Sequence, residues 1–245
     1  MPFSFLQSSN IRSLGRTRAT SLSLDTHAHV LPGLDNGPET LEDSIALLRE
    51  MAKSGVRKVV ATPHIMGDFY RNSIESICYA RKLVEAELHA QKIPIALEVA
   101  AEYYLDVSFV AALETKAPLL PLDNQYLIFE TSVVSVPPFL WETVALIKAR
   151  GLKPVLTHPE RYYYLQQNYE RVLELRRQEV LFQVSILSLK SNHQPTRLLA
   201  ERLILEGLAT FVGSNAHNKQ EWKQVTQAMD DKWSKILKEQ KLIQE

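Results

Sequence analysis

The sequence has 245 residues, with 28 basic and 28 acidic side chains and no formal net charge at pH 7. A hydrophobic fraction of 45% and a charged fraction of 23% are ordinary for a soluble globular enzyme. Because no net positive charge attracts phosphates, a nucleic-acid partner is disfavoured. The single cysteine, Cys78, excludes an internal disulfide, favours a reducing, cytoplasmic environment, and is interpreted as a packing residue in a helix.

The N-terminal residues 1–21 differ in pattern from the rest of the chain. Arg12, Arg16 and Arg18 follow the few apolar residues of this segment, an order that does not fit a secretory signal. We interpret residues 1–21 as a flexible lead-in and residues 22–245 as a single domain with a C-terminal helix. No stretch reaches the uncharged apolar length of a membrane span, so no stable membrane insertion is expected.

Short runs rich in Val, Ile and Leu alternate with helical patterns from residue 22 onward. The runs predict seven strands, at residues 21–29, 56–64, 95–106, 126–132, 153–161, 180–186 and 209–217. Helical patterns lie at residues 40–55, 73–91, 137–151, 169–179, 195–207 and beyond 218. Thr40 with Asp43 predicts the first helix N-cap, and Gly55, Gly151 and Gly207 are expected just past helix ends.

This alternation predicts an α/β fold with a parallel sheet and helices outside it. Seven strand–helix units fit a closed or nearly closed barrel better than an open sheet. In such a barrel the C-terminal strand ends meet at one rim, where active sites are built.

Polar side chains close almost every predicted strand, and five of the seven histidines lie at these ends. In chain order these residues are Asp25, His27, His29, His64, Glu102, Glu130, His158, Asn215 and His217. Only the sixth strand, which ends in Gln183 and Ser185, lacks a strong metal ligand. The sequence therefore predicts a metal site at the rim.

The spacing of the first and last polar pairs strengthens this prediction. Residues two apart on a strand point to the same face, as His27 and His29 do, and Asn215 and His217 repeat that spacing. Imidazole and carboxylate ligands without thiolate suit manganese, iron or zinc. The candidate ligands exceed one site, so we predict two or three divalent ions. Such a cluster generates hydroxide from water and stabilises the attacking and leaving oxygens of a phosphate ester.

Six motifs, DTHAHVLPGLDNG, ATPH, AAEYYLD, LIFETS, THPERY and GSNAHN, follow one another within residues 22–218. Together they resemble the polymerase and histidinol phosphatase (PHP) superfamily, and within it the bacterial protein-tyrosine phosphatases of capsule and exopolysaccharide gene clusters. The resemblance implies a distorted seven-stranded TIM-like barrel with a trinuclear site, in which manganese is the most expected metal. It also implies a hydrolase that removes phosphate from the tyrosine-rich tail of a bacterial tyrosine kinase governing polysaccharide export.

The resemblance also assigns residues to the three ions, motif by motif. The first ion is assigned to His27, His29, Glu102 and the position of Asn215. The second ion is assigned to Glu102, Glu130 and His158. The third ion is assigned to the position of Asn36, His64 and His217. Arg161 is implied as the catalytic contact to the phosphoryl oxygens, for which its bidentate guanidinium is suited.

The chain departs from the family pattern at three positions. Asn36 and Asn215 stand where the family has aspartates, and Trp222 takes the aligned place of a second arginine. An amide oxygen binds a metal without adding negative charge, so we expect weaker first and third ions and reduced activity. Asp35 is a candidate substitute for Asn36, and Lys219 for the arginine.

Aromatic residues near the predicted rim are candidates for the substrate side. Tyr70 and Tyr162, together with Phe69 and Tyr163, could border a phosphotyrosine ring or could pack the loops against the barrel. Arg71 is a further candidate phosphate contact.

Three functions remain open at this stage. The leading one is a metal-dependent phosphatase of phosphotyrosine in protein. The second is a catalytically weakened relative that binds phosphotyrosine or metal without efficient turnover. The third is a small-molecule phosphatase, such as one for histidinol phosphate. The sequence does not predict an oligomeric state.

Overall fold

Strands and helices alternate along residues 22–242, the part of the chain that this computed structural model describes. The predicted lead-in at residues 1–21 lies outside the described residues. The strands are β1 (Leu24–Ala28), β2 (Lys58–Ala61), β3 (His64–Ile65), β4 (Ala96–Val99), β5 (Glu102–Tyr104), β6 (Tyr126–Glu130), β7 (Lys153–Thr157), β8 (Leu181–Ser185) and β9 (Ala209–Gly213).

Helices follow most of the strands. They are α1 (Leu41–Lys53), α2 (Ile74–Ala90), α3 (Val107–Glu114), α4 (Leu140–Ala149), α5 (Tyr163–Gln166), α6 (Glu170–Arg177), α7 (Gln194–Leu205), α8 (Lys219–Ala228) and α9 (Asp231–Glu239). Short 3₁₀ turns lie at Pro159–Arg161 and Ile186–Lys190. None of the helices within residues 22–242 is both long and apolar enough to cross a bilayer.

All strand ladders are parallel and form two sheets, in the orders β1-β2-β4 and β3-β5-β6-β7-β8-β9. The α/β prediction is confirmed, but a single closed seven-stranded barrel is not. The second predicted strand is divided into β2 and β3, and the third into β4 and β5. Pro63 lies at the first break, where it has no N–H to donate to a ladder.

Hydrogen bonds outside the ladders bring the first and last strands side by side. The Asn215 N–H donates to the His27 carbonyl at 2.8 Å, and the His29 N–H donates to the Ala216 carbonyl at 3.0 Å. These bonds lie at the C-terminal ends of β1 and β9. The two sheets are therefore not closed by a ladder, yet their C-terminal ends meet on one side of the molecule.

Local sequence signals explain where several helices begin and end. The Thr40 hydroxyl accepts from the Asp43 N–H at 3.1 Å, so Thr40 caps α1 as predicted. Gly55, Gly151 and Gly207 follow α1, α4 and α7 with φ of +109°, +74° and +69°. Glycine enters this region without a steric penalty, which confirms their predicted place after helix ends.

Apolar side chains fill two clusters on opposite faces of the strands. The larger cluster packs the helices against the strands, and its buried apolar residues come from along the whole domain, from Leu22 to Leu237. The smaller cluster, the inner apolar layer, lies between the strands of both sheets. Its buried members are Val60, Ala100, Leu122, Ile128 and Val155, with Leu24, Tyr126, Leu181 and Phe211 packed against them.

Candidate metal centre

The predicted ligands lie directly beyond the inner apolar layer. Glu102 follows Ala100 by two residues, and Glu130 follows Ile128 by two residues, so each carboxylate points to the same face as its apolar neighbour. The alternation that buries the layer therefore places acids above it. His158 reaches the cluster differently, because it lies just after β7, three residues beyond Val155, in a left-handed conformation with φ of +33°.

Glu102 is the centre of the cluster. Its carboxylate is fully buried, and four imidazoles surround it. Glu102 Oε2 lies 3.5 Å from His27 Nε2, 3.4 Å from His29 Nε2 and 3.3 Å from His64 Nδ1. Glu102 Oε1 lies 3.1 Å from His158 Nε2. A single carboxylate that faces so many ring nitrogens is suited to bridge two cations.

Three groups of side chains bring candidate ligand atoms within 4.8 Å of one another. The groups are His27–His29–Glu102, His64–Glu102–Glu130 and His29–His64–His217. Because the groups share His29, His64 and Glu102, the corresponding positions lie side by side. The arrangement can hold more than one divalent ion.

Buried polar atoms without partners test whether a cation fits here. Glu102 Oε2 and His29 Nε2 are buried and lack a hydrogen-bond partner among the described residues. Leaving such an atom unsatisfied costs about 1–3 kcal/mol. A divalent ion between them would satisfy both atoms, so the residues present fit a metal centre.

Burial and neighbouring charged groups shift the pKa values of the cluster residues in different directions. Burial lowers the pKa of His27 to about 3, which keeps this ring neutral. Burial acts to lower the pKa of His29 as well, but the nearby carboxylates of Asp35 and Glu102 raise it to about 10. Although burial opposes it, the surrounding imidazoles, His27 and His64 first among them, hold the pKa of Glu102 well below its usual range. Metal binding at His29 therefore has to release a proton.

Two carboxylates outside the predicted ligand set support ligand histidines. Asp35 Oδ2 lies 2.7 Å from His29 Nδ1, and Glu221 Oε2 lies 3.2 Å from His217 Nδ1. Sequence reasoning assigned Asp35 only a substitute role and did not identify Glu221. Histidine ligands usually donate their second ring N–H to a carboxylate or carbonyl, and a search for acids near each histidine could have found both.

The two asparagines that replace the family's aspartates lie in different surroundings. Asn215 Oδ1 is 3.0 Å from His27 Nε2, and Asn215 is buried with a φ of +54°. Asparagine is among the few non-glycine residues that tolerate this region. Asn36 is exposed and lines the cavity above the cluster. The structure therefore brings Asn215 into the cluster and leaves Asn36 at its edge.

Close backbone approach at Gly213 fixes the position of β1 against β9. A Cβ added at Gly213 would lie 2.5 Å from His27 Cβ and 3.0 Å from His27 N. Only glycine permits this separation. The residue therefore places His27 beside the other ligands.

A cavity of about 1010 Å³ opens above the cluster. Arg161, Tyr70 and Tyr163 line it together with His64 and Glu130. The Arg161 guanidinium forms no ion pair or hydrogen bond with another side chain among the described residues, and Tyr70 stacks on His64 with ring centroids 5.5 Å apart. An arginine without a protein partner at this place can bind an anion.

The placement of Tyr162 contradicts its predicted contact with substrate. Tyr162 is fully buried, its hydroxyl accepts from the Thr131 N–H at 3.2 Å, and its ring stacks on Tyr164 at 5.5 Å. The short helix after the 3₁₀ turn directs Tyr162 and Tyr164 inward and leaves the intervening Tyr163 exposed. Tyr163 is therefore the aromatic residue of this run that can reach the cavity.

The remaining candidates lie around the cavity or away from it. Trp222 is buried in α8, where its indole N–H donates to the Ser54 hydroxyl at 3.1 Å, so it packs the fold rather than lining the cavity. Lys219 is exposed near Asn36 and His217. Arg71 donates to the Gly67 carbonyl at 2.9 Å. Phe69 is exposed, and Cys78 is half-buried in α2.

The chain is similar to proteins of capsular polysaccharide synthesis and to tyrosine-protein phosphatases. The family model for capsular polysaccharide synthesis, CpsB/CapC, matches residues 23–241. A putative tyrosine-protein phosphatase CapC from Staphylococcus aureus is 26% identical over 196 residues, which cover 80% of this chain and 77% of the relative. The tyrosine-protein phosphatase CpsB from Streptococcus pneumoniae is 31% identical over 154 residues, which cover 62% and 63%.

A solved structure extends the similarity to three dimensions. It comes from work on YwqE from Bacillus subtilis and CpsB from Streptococcus pneumoniae, described as unique metal-dependent tyrosine phosphatases. It aligns with a TM-score of 0.78 and 26% identity, over 88% of this chain and 86% of the other. The α/β arrangement described above is thus shared with that structure.

Proposed function

The chain belongs to the CpsB/CapC family of capsular polysaccharide synthesis proteins, and we propose that it is a metal-dependent protein-tyrosine phosphatase. The observation that carries the proposal is the buried Glu102 carboxylate, which faces four imidazoles within 3.5 Å at the base of an open cavity. Relatives named tyrosine-protein phosphatases and the similar structure of metal-dependent tyrosine phosphatases support it.

We propose that two to three divalent ions bind, with manganese first and iron or zinc as alternatives. The proposed ligands are histidines, glutamates and two asparagines from the strand ends: His27, His29, Asn36, His64, Glu102, Glu130, His158, Asn215 and His217. When bound, such ions supply an activated water nucleophile and positive charge beside the phosphoryl group. We also propose that the two sheets act as one distorted PHP-type barrel, which the hydrogen bonds between β1 and β9 support.

The chain's own residues would bind and orient the phosphate ester. Arg161 can donate two parallel hydrogen bonds to phosphoryl oxygens, and its guanidinium is free of competing acids among the described residues. Tyr70 and Tyr163 both line the cavity and can border the aromatic ring of the substrate. Glu102 and Glu130 would hold the cations through their negative charges.

The proposed substrate is phosphotyrosine in a protein, and the proposed partner is the tail of a bacterial tyrosine kinase. The cavity is wide and open, which suits a side chain presented on a polypeptide. The single half-buried Cys78 takes no part in the site, and a reducing cytoplasm is the proposed location. Residues 22–245 would form one domain that carries the whole site.

A second candidate function is a weakened relative that binds phosphotyrosine with little turnover. Asn215 favours it, since its neutral amide lies 3.0 Å from His27 Nε2 where an acid would add charge for a cation. A histidinol phosphatase is the third candidate. Turnover numbers separate the first two functions, and a substrate panel separates the third.

The test uses chain depleted of metal and reconstituted with Mn²⁺. We expect hydrolysis of a phosphotyrosine peptide, little hydrolysis of histidinol phosphate, and loss of turnover after chelation. His158→Ala should abolish turnover, whereas His89→Ala, an exposed histidine of α2, should not change it. Turnover that persists in chelator would overturn the metal mechanism. Faster turnover of histidinol phosphate would overturn the substrate assignment.

A further inference from the structure

The His29 and His217 imidazoles stack face to face. Their ring centroids are 4.0 Å apart, and the ring planes differ by 5°. Together with His64 these rings place candidate ligand atoms within 4.8 Å of one another. We call this group the three-histidine position.

The His29 ring is fixed from behind by Asp35. Asp35 Oδ2 accepts from His29 Nδ1 at 2.7 Å and from the His64 N–H at 3.2 Å, and Asp35 Oδ1 accepts from the Gly37 N–H at 2.9 Å. The Asp35 side chain is almost completely buried, at 1% exposure. With Nδ1 occupied as a donor, His29 turns Nε2 toward the cluster, where this atom lies buried 3.4 Å from Glu102 Oε2.

The His217 ring is fixed in the same way by Glu221. Glu221 Oε2 accepts from the His217 N–H at 2.8 Å and lies 3.2 Å from His217 Nδ1. Glu221 lies in the first turn of α8, where the Asn218 side chain caps the helix by accepting from the Gln220 and Glu221 N–H groups. The carboxylate is therefore held in place by a helix end, and His217 also presents Nε2.

We propose that Asp35 and Glu221 are positioning residues that build the three-histidine position as a cation site. Asp35 holds Nδ1 of His29, and Glu221 together with the Asn215 carbonyl, 3.0 Å away, holds Nδ1 of His217. Each ring therefore turns Nε2 toward the cluster beside His64. The proposal deepens the proposed function, because it concerns one of the metal positions on which that function rests. Three imidazoles beside the single Glu102 carboxylate suit borderline ions such as Zn²⁺, Co²⁺ and Mn²⁺ rather than Ca²⁺ or Mg²⁺.

The arrangement explains how this position can work with a neutral residue at Asn36. A carboxylate that accepts a hydrogen bond from a metal-bound imidazole raises the basicity of the ring and supplies negative charge near the cation without contacting it. Asp35 and Glu221 provide two such charges. Asn36 is exposed at the edge of the cavity and is not needed to orient either ring.

The test measures cation binding to metal-depleted chain by Co²⁺ absorption and by Mn²⁺ paramagnetic resonance, without substrate. Glu221→Ala should lower the affinity for one of the bound ions by about 10- to 100-fold, the usual effect of removing a carboxylate that supports a ligand histidine. Glu221→Gln should recover part of the affinity, because an amide oxygen can still accept from Nδ1. The matched control is Glu142→Ala, an exposed acid in the first turn of α4.

The Asp35 variant sharpens the test. Asp35→Asn introduces an amide N–H among three donors, so its ion binding should fall more than that of Glu221→Gln. Wild-type ion affinity and stoichiometry in folded Glu221→Ala would overturn the proposal, as would equal losses in Glu142→Ala. Wild-type chain that binds its ions but does not hydrolyse phosphotyrosine would overturn the proposed function and leave the positioning role intact.

Discussion

Replacement of Gly213 by alanine tests how the last strand positions His27, the first candidate metal ligand along the chain. The new Cβ would lie 2.5 Å from His27 Cβ, whereas carbon atoms in contact are about 3.5–4.0 Å apart. β1 and β9 must therefore separate by about 1 Å at this point. Overpacking of this kind costs about 1–3 kcal/mol of unfolding free energy. A misplacement of about 1 Å at a reacting site can cost about 100-fold in rate.

The assays for Gly213→Ala are urea unfolding of metal-depleted chain and hydrolysis of a phosphotyrosine peptide with Mn²⁺. Gly207→Ala is the matched control, because its Cβ would meet no atom within 4 Å although its φ is +69°. The control should lose about 1–2 kcal/mol of unfolding free energy through backbone strain and keep wild-type turnover. Wild-type turnover and stability in Gly213→Ala would refute the steric argument.

Four further outcomes are expected. Arg161→Lys should lower kcat/KM by about 10- to 100-fold through a higher KM, since lysine lacks the bidentate fork; an unchanged KM would argue against phosphate contact. Asn215→Asp should tighten Mn²⁺ binding by about tenfold or more in a calorimetric titration, and unchanged affinity would contradict the charge argument. Alkylation of Cys78 should leave turnover intact, and inactivation would implicate the thiol. Burial raises the pKa of Tyr164 from 10.0 to about 12, so stability should be full below pH 10 and fall by roughly 2–3 kcal/mol toward pH 12. The unfolding free energy of Tyr164→Phe should fall less between pH 10 and pH 12. An equal fall would show that another group is responsible for the loss.

The sequence predicted that the candidate ligands lie close together, but it did not predict the two separate sheets that carry them. His27 and His29 are two residues apart after an apolar run, and period-two alternation was enough to place both rings on one face. The breaks in the second and third strands were not predicted, because apolar composition continues through them. At Pro63 the missing N–H, rather than a change of hydrophobicity, interrupts the ladder.

Side-chain direction outside the strands was the least predictable feature. The run from Tyr162 to Tyr164 contains three identical side chains, and only the tight turn after His158 determines which of them points inward. The pairing of Glu221 with His217 spans only four residues, and Asn218 is a recognisable N-cap for α8. This pairing was therefore available from the sequence, whereas the direction of the three tyrosines depends on tertiary contacts that composition and periodicity do not encode.

The inner apolar layer has a consequence for how ligands would enter and leave the site. The layer fills one end of the space between the strands, and the cavity lies at the opposite end. Ions, substrate and product would therefore share this cavity as their route through the described part of the chain, and a cation at its base would have to bind before a phosphate ester covers it. We expect inorganic phosphate to compete with the ester for the same position.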